Sequence, residues 1–204
     1  MNTRIIKIAH VAAVGVILLV VAVMIGVAGQ NSNQSGGQAG GTVSSADRKF
    51  AMTAAMDGMT EVELGRLAAE RGASDGVKQF GQRMVDDHSK ANDELKQWAA
   101  TAGVMLPTAL DAKHQAMVAK MSGLSGAAFD KAYAQAMVKD HTKAVQLFQR
   151  EADRGMDAGL KTFASSKLPT LREHLEMARS LNMGGGHNMG AAPSGGSNNN
   201  ANRR

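Results

Sequence analysis

The chain of 204 residues contains no cysteine. That excludes disulfides, thiolate metal ligation, iron–sulfur clusters, a cysteine nucleophile and a lipid-modified N-terminal cysteine. Aromatic residues make up 3% of the chain and proline occurs three times. β-Sandwiches and barrels lean on aromatic and β-branched strands, which this composition does not supply. No Gly-rich phosphate loop or HExxH occurs, so the common signatures of nucleotide-dependent enzymes and zinc peptidases are missing. One-signed charge is missing too. The net charge is +5, but without Arg4, Lys7, Arg203 and Arg204 there remain 19 basic residues against 18 acidic. A nucleic-acid binder concentrates Lys and Arg on one face. Without such a concentration, nucleic acid is excluded as a partner.

Methionine is present 14 times and hydrophobic residues reach 44%, which favours long helices with Ala, Leu and Met seams. Residues 1–29 read as a signal anchor or a signal peptide. Arg4 and Lys7 precede an uncharged apolar run over residues 11–28, with small residues for cleavage at Gly26-Val27-Ala28. Either form sends the remainder outward. The expected location is periplasmic, anchored to the inner membrane if the segment is uncleaved or released after cleavage. Residues 30–45 read as a flexible linker and residues 183–204 as a disordered Gly/Asn-rich tail. The tail's Met183, His187 and Met189 are taken as low-complexity sequence rather than a soft-metal trap.

Between these, residues 46–182 form one helical domain. Glycines and caps divide it into helices over about 46–71, 74–102, 107–121, 126–154 and 157–181, with Pro169 expected to kink or break the last. The buried stripe of the second helix reads Val77, Phe80, Met84, His88, Ala91, Leu95 and Trp98. That of the fourth reads Tyr133, Met137, His141, Ala144 and Phe148, and that of the fifth Leu160, Phe163, Lys167, Leu171, His174, Ala178 and Leu181. The first helix offers two seams, one through Phe50, Ala54, Asp57, Glu61, Leu64 and Ala68, the other through Met52, Met56, Met59, Glu63 and Leu67. Three histidines therefore lie mid-stripe on three helices, and each seam of the first carries a glutamate.

An internal repeat points to the same residues. FGQRMVDDHSKA at residues 80–91 matches YAQAMVKDHTKA at residues 133–144 in seven of twelve positions, at an offset of 53. A duplicated hairpin of helices one and two, then three and four, would account for it. The segments FAMTAAMDGMTEVELGRLA, VKQFGQRMVDDHSKANDELKQWA, MVKDHTKAVQLFQ and FASSKLPTLREHLEMA resemble the bacterial domain-of-unknown-function family 4142. Its members are labelled outer-membrane proteins and grouped with ferritin-like bundles. The resemblance covers residues 47–181 and implies an exported helical bundle with no assigned reaction. A membrane barrel is not implied, because no alternating strand pattern exists. The fold class is thus all-α, a ferritin-like bundle of four long helices plus one short helix, preceded by the signal or anchor helix.

Ferritin-like di-iron proteins carry Glu-x-x-His on two of their helices. Here the residues three before His88, His141 and His174 are Val85, Val138 and Leu171, so a di-iron centre of that kind is not expected. Two functional readings follow. In the leading one the protein is a non-enzymatic envelope protein without a cofactor, and the histidines hydrogen-bond neighbours such as Glu61, Asp87 or Asp140. In the alternative, Glu61, His88, His141 and His174 ligate a transition metal such as Zn, Cu or Fe in a metal-binding or metal-dependent redox bundle. Counting from the turns opposes a shared centre. Glu61 lies 11 residues before Gly72 and His88 lies 16 after it, a mismatch of about 7.5 Å at 1.5 Å per residue. Asp57 is level with His88 by the same count. A protein partner and homo-oligomerisation stay open.

Overall fold

The computed structural model describes residues 43–184, and all five of its elements are helices. These are α1 (Ser45–Arg71), α2 (Asp75–Ala102), α3 (Ala112–Ser122), α4 (Gly126–Arg154) and α5 (Ala158–Asn182). Among the described residues there is no strand, only a bridge pair between Gly72 and Gly126. None of their helices is long and apolar enough to cross a membrane. The expected anchor, most of the linker, and the tail from residue 185 lie outside the described residues.

The helix ends follow local chemistry. Ser44, Ser74 and Asp157 accept backbone N–H groups three residues on, from Asp47, Val77 and Leu160. Gly103 closes α2 in the left-handed conformation at φ 65°, which a glycine adopts without steric cost. Three expectations need correction. Helix α3 starts at Ala112 rather than at Pro107, because the cap is Asp111, whose carboxylate accepts from the His114 backbone N–H at 2.9 Å. Ser125 precedes α4 without a side-chain cap bond. Pro169 does not break α5: it is exposed, so the carbonyl that loses its helical partner, Ser165 C=O, turns to water.

Helix α1 packs along α2, α4 along α5, and cross-contacts from α1 to α4 and from α2 to α5 close the bundle. The short α3 lies against α1 and α4. The repeating unit is therefore not the hairpin expected from the offset of 53. It is α1–α2 against α4–α5, at an offset of 83. The cap Ser74 corresponds to Asp157, the turn glycine Gly72 to Gly155, and the stripe residue Phe50 to Tyr133. Each half also holds the other's turn. Asp130 accepts the N–H groups of Ala73 and Ser74 at 2.8 and 2.9 Å. Asp47, its counterpart 83 residues earlier, accepts those of Met156 and Asp157 at 3.1 and 2.9 Å.

The apolar interior is split in two. One cluster holds Phe50, Leu95, Phe148, Phe163 and Leu171, and the other holds Leu64, Phe80, Met84, Tyr133 and Met137. On each long helix one polar residue sits between the two clusters: Glu61 on α1, His88 on α2, His141 on α4 and His174 on α5.

Candidate metal centre

These four side chains form a buried polar layer. Relative exposures are 4% for Glu61, 7% for His88 and 0% for both His141 and His174. The imidazole ring centroids lie 5.2–5.6 Å apart pairwise. One nitrogen from each ring lies within 4.8 Å of those of the other two. Phe80 closes the layer from one side, 6.1 Å from His174 and 6.5 Å from His141.

Each ring has one nitrogen against an acceptor. His88 Nδ1 stands 3.0 Å from Glu61 Oε2, and His174 Nε2 stands 2.8 Å from Asp87 Oδ2. His141 Nδ1 stands 3.1 Å from the carbonyl of Met137 one turn before it. The remaining nitrogens, His88 Nε2, His141 Nε2 and His174 Nδ1, are buried with no hydrogen-bond partner among the described residues. The other Glu61 oxygen, Oε1, lies 3.7 Å from His141 Nε2. Asp87, one of the neighbours expected to bond a histidine, serves His174. It also binds Arg83, which reaches Glu173 at 2.6 Å.

Burial dominates the electrostatics. It lowers His88 well below the ordinary imidazole range, and the neighbouring His141 and His174 add to the effect. His141 is pushed down to about 3 by burial and then by His174. Burial also lowers His174, although Asp87 opposes it. All three rings are therefore neutral at physiological pH. Glu61 is held well above the usual carboxylate range, first by burial and then by Asp57 and Asp140.

The height argument against a shared centre fails. Counted from helix ends rather than from the turn glycine, Glu61 lies 10 residues before Arg71 and His88 lies 13 after Asp75, a gap of about 4.5 Å. Side chains lean toward the N-terminus of their own helix. Glu61 thus leans away from the turn and His88 leans toward it, which closes the gap. The same holds for His141 and His174 about the second turn. Asp57 instead faces His114 Nε2 at 3.6 Å. The second seam of α1 is not the buried one: Met52 is exposed, and Glu63 pairs at the surface with Arg66.

Two cavities adjoin the layer. One of about 40 Å³ is lined by His88, His174, Glu61 and Asp87 together with apolar side chains such as Leu95 and Phe163. The other, of about 210 Å³, is lined by Glu61, Asp57, His114 and Asp140 with Lys113 and Lys143. Glu61 stands between the two. No Glu-x-x-His pair contributes, so the residues present do not fit a carboxylate-bridged di-iron centre.

A family model described as a domain of unknown function matches residues 32–181. No curated protein matches the chain in sequence. Solved structures that share the fold include two from bacteria. A DUF305 fragment from Deinococcus radiodurans superposes with a TM-score of 0.62 at 13% identity, covering 70% of this chain and 99% of that one. A DUF305 protein from Streptomyces coelicolor, named as a candidate secreted protein, gives a TM-score of 0.60 at 15% identity over 73% of this chain and 98% of its own.

Proposed function

The chain belongs to the family of that model, DUF4142, and for this all-α member we propose a transition-metal-binding role, with His88, His141 and His174 as ligands and Glu61 as the carboxylate that orients His88. The observation that carries this reading is the pairing pattern of the rings. Each imidazole has one nitrogen against an acceptor and the other bare, buried and close to its neighbours. An acceptor behind each ring fixes its tautomer and leaves the opposite lone pair free, the usual environment of a ligating histidine. A purely structural network would satisfy its buried atoms, and each bare nitrogen costs about 1–3 kcal/mol of desolvation. Neutral rings also meet the requirement that ligands be unprotonated.

Imidazole ligation favours zinc, copper or iron(II), and no thiolate is present to select a softer ion. Metal–nitrogen bonds of about 2.1 Å at tetrahedral angles set the nitrogens about 3.4 Å apart. The rings therefore need to close by roughly an ångström. The basic start and apolar run of residues 1–29 support a bundle exported across the inner membrane, anchored or released, and the secreted-protein name of the Streptomyces neighbour supports export.

The test is a set of thermal melts with chelator or with added Zn, Cu or Fe(II), on the wild type, His88→Ala, His141→Ala and the double variant. A ligand stabilises only the state it binds, by about 2.7 kcal/mol at a hundredfold excess over Kd. The expected result is a metal-dependent rise in Tm for the wild type only, with the double variant losing nothing beyond either single one. A wild-type Tm that metal leaves unmoved overturns the proposal.

A further inference from the structure

We infer that the fourth position of this centre is exchangeable, taken by water or by a monoanion of two or three atoms seated in the cavity beside His88 and His174. The inference rests on the metal reading above and goes further by naming a ligand class. The donor count supports it first. Three ring nitrogens are free to ligate, while Glu61 Oε2 is engaged by His88 Nδ1 at 3.0 Å and Oε1 stands 3.7 Å from His141 Nε2. Tetrahedral sites that stop at three protein ligands are the open, reactive kind.

The second support is the hairpin repeat. The offset of 83 pairs Glu61 with Ala144, His88 with Leu171, His141 with Gly58 and His174 with Ala91. Every one of these four counterparts lines the 40 Å³ cavity, and none has a donor atom in its side chain. One half of the two-fold layer is thus filled by polar side chains. The other half is hollow because small or apolar residues stand where their equivalents would be. The cavity follows from the asymmetry of the repeat and is no accident of loose packing.

Size and charge then define the occupant. A water occupies about 10–15 Å³ on this measure, so the space of about 40 Å³ takes about three such units and excludes anything the size of an aromatic acid. A divalent ion held by three imidazoles keeps a charge that the Glu61 and Asp87 carboxylates behind His88 and His174 offset in part, and an adjacent monoanion offsets more of it. Lys167, also on the wall of the cavity, is already paired with Glu94.

The experiment uses the full chain loaded with Co(II), whose visible ligand-field bands report coordination. Azide should shift these bands along a saturable isotherm, while benzoate at the same concentration leaves them unchanged. Ala54→Val places two extra methyl groups on the cavity wall. It should retain Co(II) and weaken azide at least tenfold. Co(II) binding with bands that azide does not move overturns the inference and leaves the metal reading standing. Equal binding of benzoate, or of azide to Ala54→Val, also overturns it. Failure of Co(II) to bind at all removes the metal reading and this inference together.

Discussion

Glu151 lies on the inner face of α4 under the turn to α5, 6% exposed, with one carboxylate oxygen lacking a partner among the described residues. Burial raises its pKa to about 7, and the nearby Asp47 and Asp157 add to the effect against Lys161. A carboxyl with a folded-state pKa above its unfolded value favours folding while protonated. That contribution is complete below the unfolded value and is lost as pH rises through about 7. Glu151→Gln keeps the shape and removes the titration. Relative to wild type, the variant should melt at nearly the same temperature at pH 4 and on the order of 5 °C higher at pH 8. Calorimetry at the two pH values measures the difference, and a constant offset would contradict it. The layer residues were legible at this scale because the 3-4 stripe placed all three histidines inward. The choice between Glu61 and Glu63 was not, since both seams of α1 carry a glutamate. Gly58 and Gly65, on the Glu61 face, decide it by letting α2 approach there.

At the scale of elements, α1 and α2 meet backbone to backbone. A Cβ at Gly65 would lie 2.6 Å from the Gly81 carbonyl oxygen, and one at Gly81 would lie 2.7 Å from the Gly65 oxygen. Neither neighbour can yield without separating the helices. Gly65→Ala should therefore cost about 2–4 kcal/mol by denaturant unfolding, against about 0.5 kcal/mol or less for Gly123→Ala, where the nearest atom lies at 3.6 Å. Helix ends were readable from the sequence wherever a glycine or a cap stood at the turn, as at Gly72, Ser74, Gly103 and Gly155. Hairpin pairing was misread. The stronger match, between α2 and α4, arises because both bury a Met and, one turn on, a His at the same level of the bundle: Met84 and His88, Met137 and His141. Pairing is set instead by helix length. Three-residue turns follow α1, α3 and α4 alike, but α3 has only 11 residues and cannot cover the 29 of α4, whereas α5 has 25 and can. That fainter hairpin match keeps turn chemistry and polarity rather than identical residues, and so it is weak as a string.

Across the whole molecule, the reciprocal use of Asp47 and Asp130 makes each hairpin a condition for the other. Asp47→Ala strips two N–H acceptors from the second turn, and Asp130→Ala does the same at the first. Each should cost about 1–3 kcal/mol. Because neither half closes its apolar face alone, unfolding should stay a single transition with an unchanged m-value. Two separated transitions in either variant would show the halves to be independent. The same aspartate has a mechanical consequence. Asp47 is the third residue of α1 and is bound to the turn at the start of α5, so tension applied at residue 43 meets these two hydrogen bonds first. Glu61 lies 14 residues further along the same helix, about 21 Å away. A pull on the end of the bundle must rupture that clasp before any strain reaches the histidine layer, so the centre keeps its geometry under load.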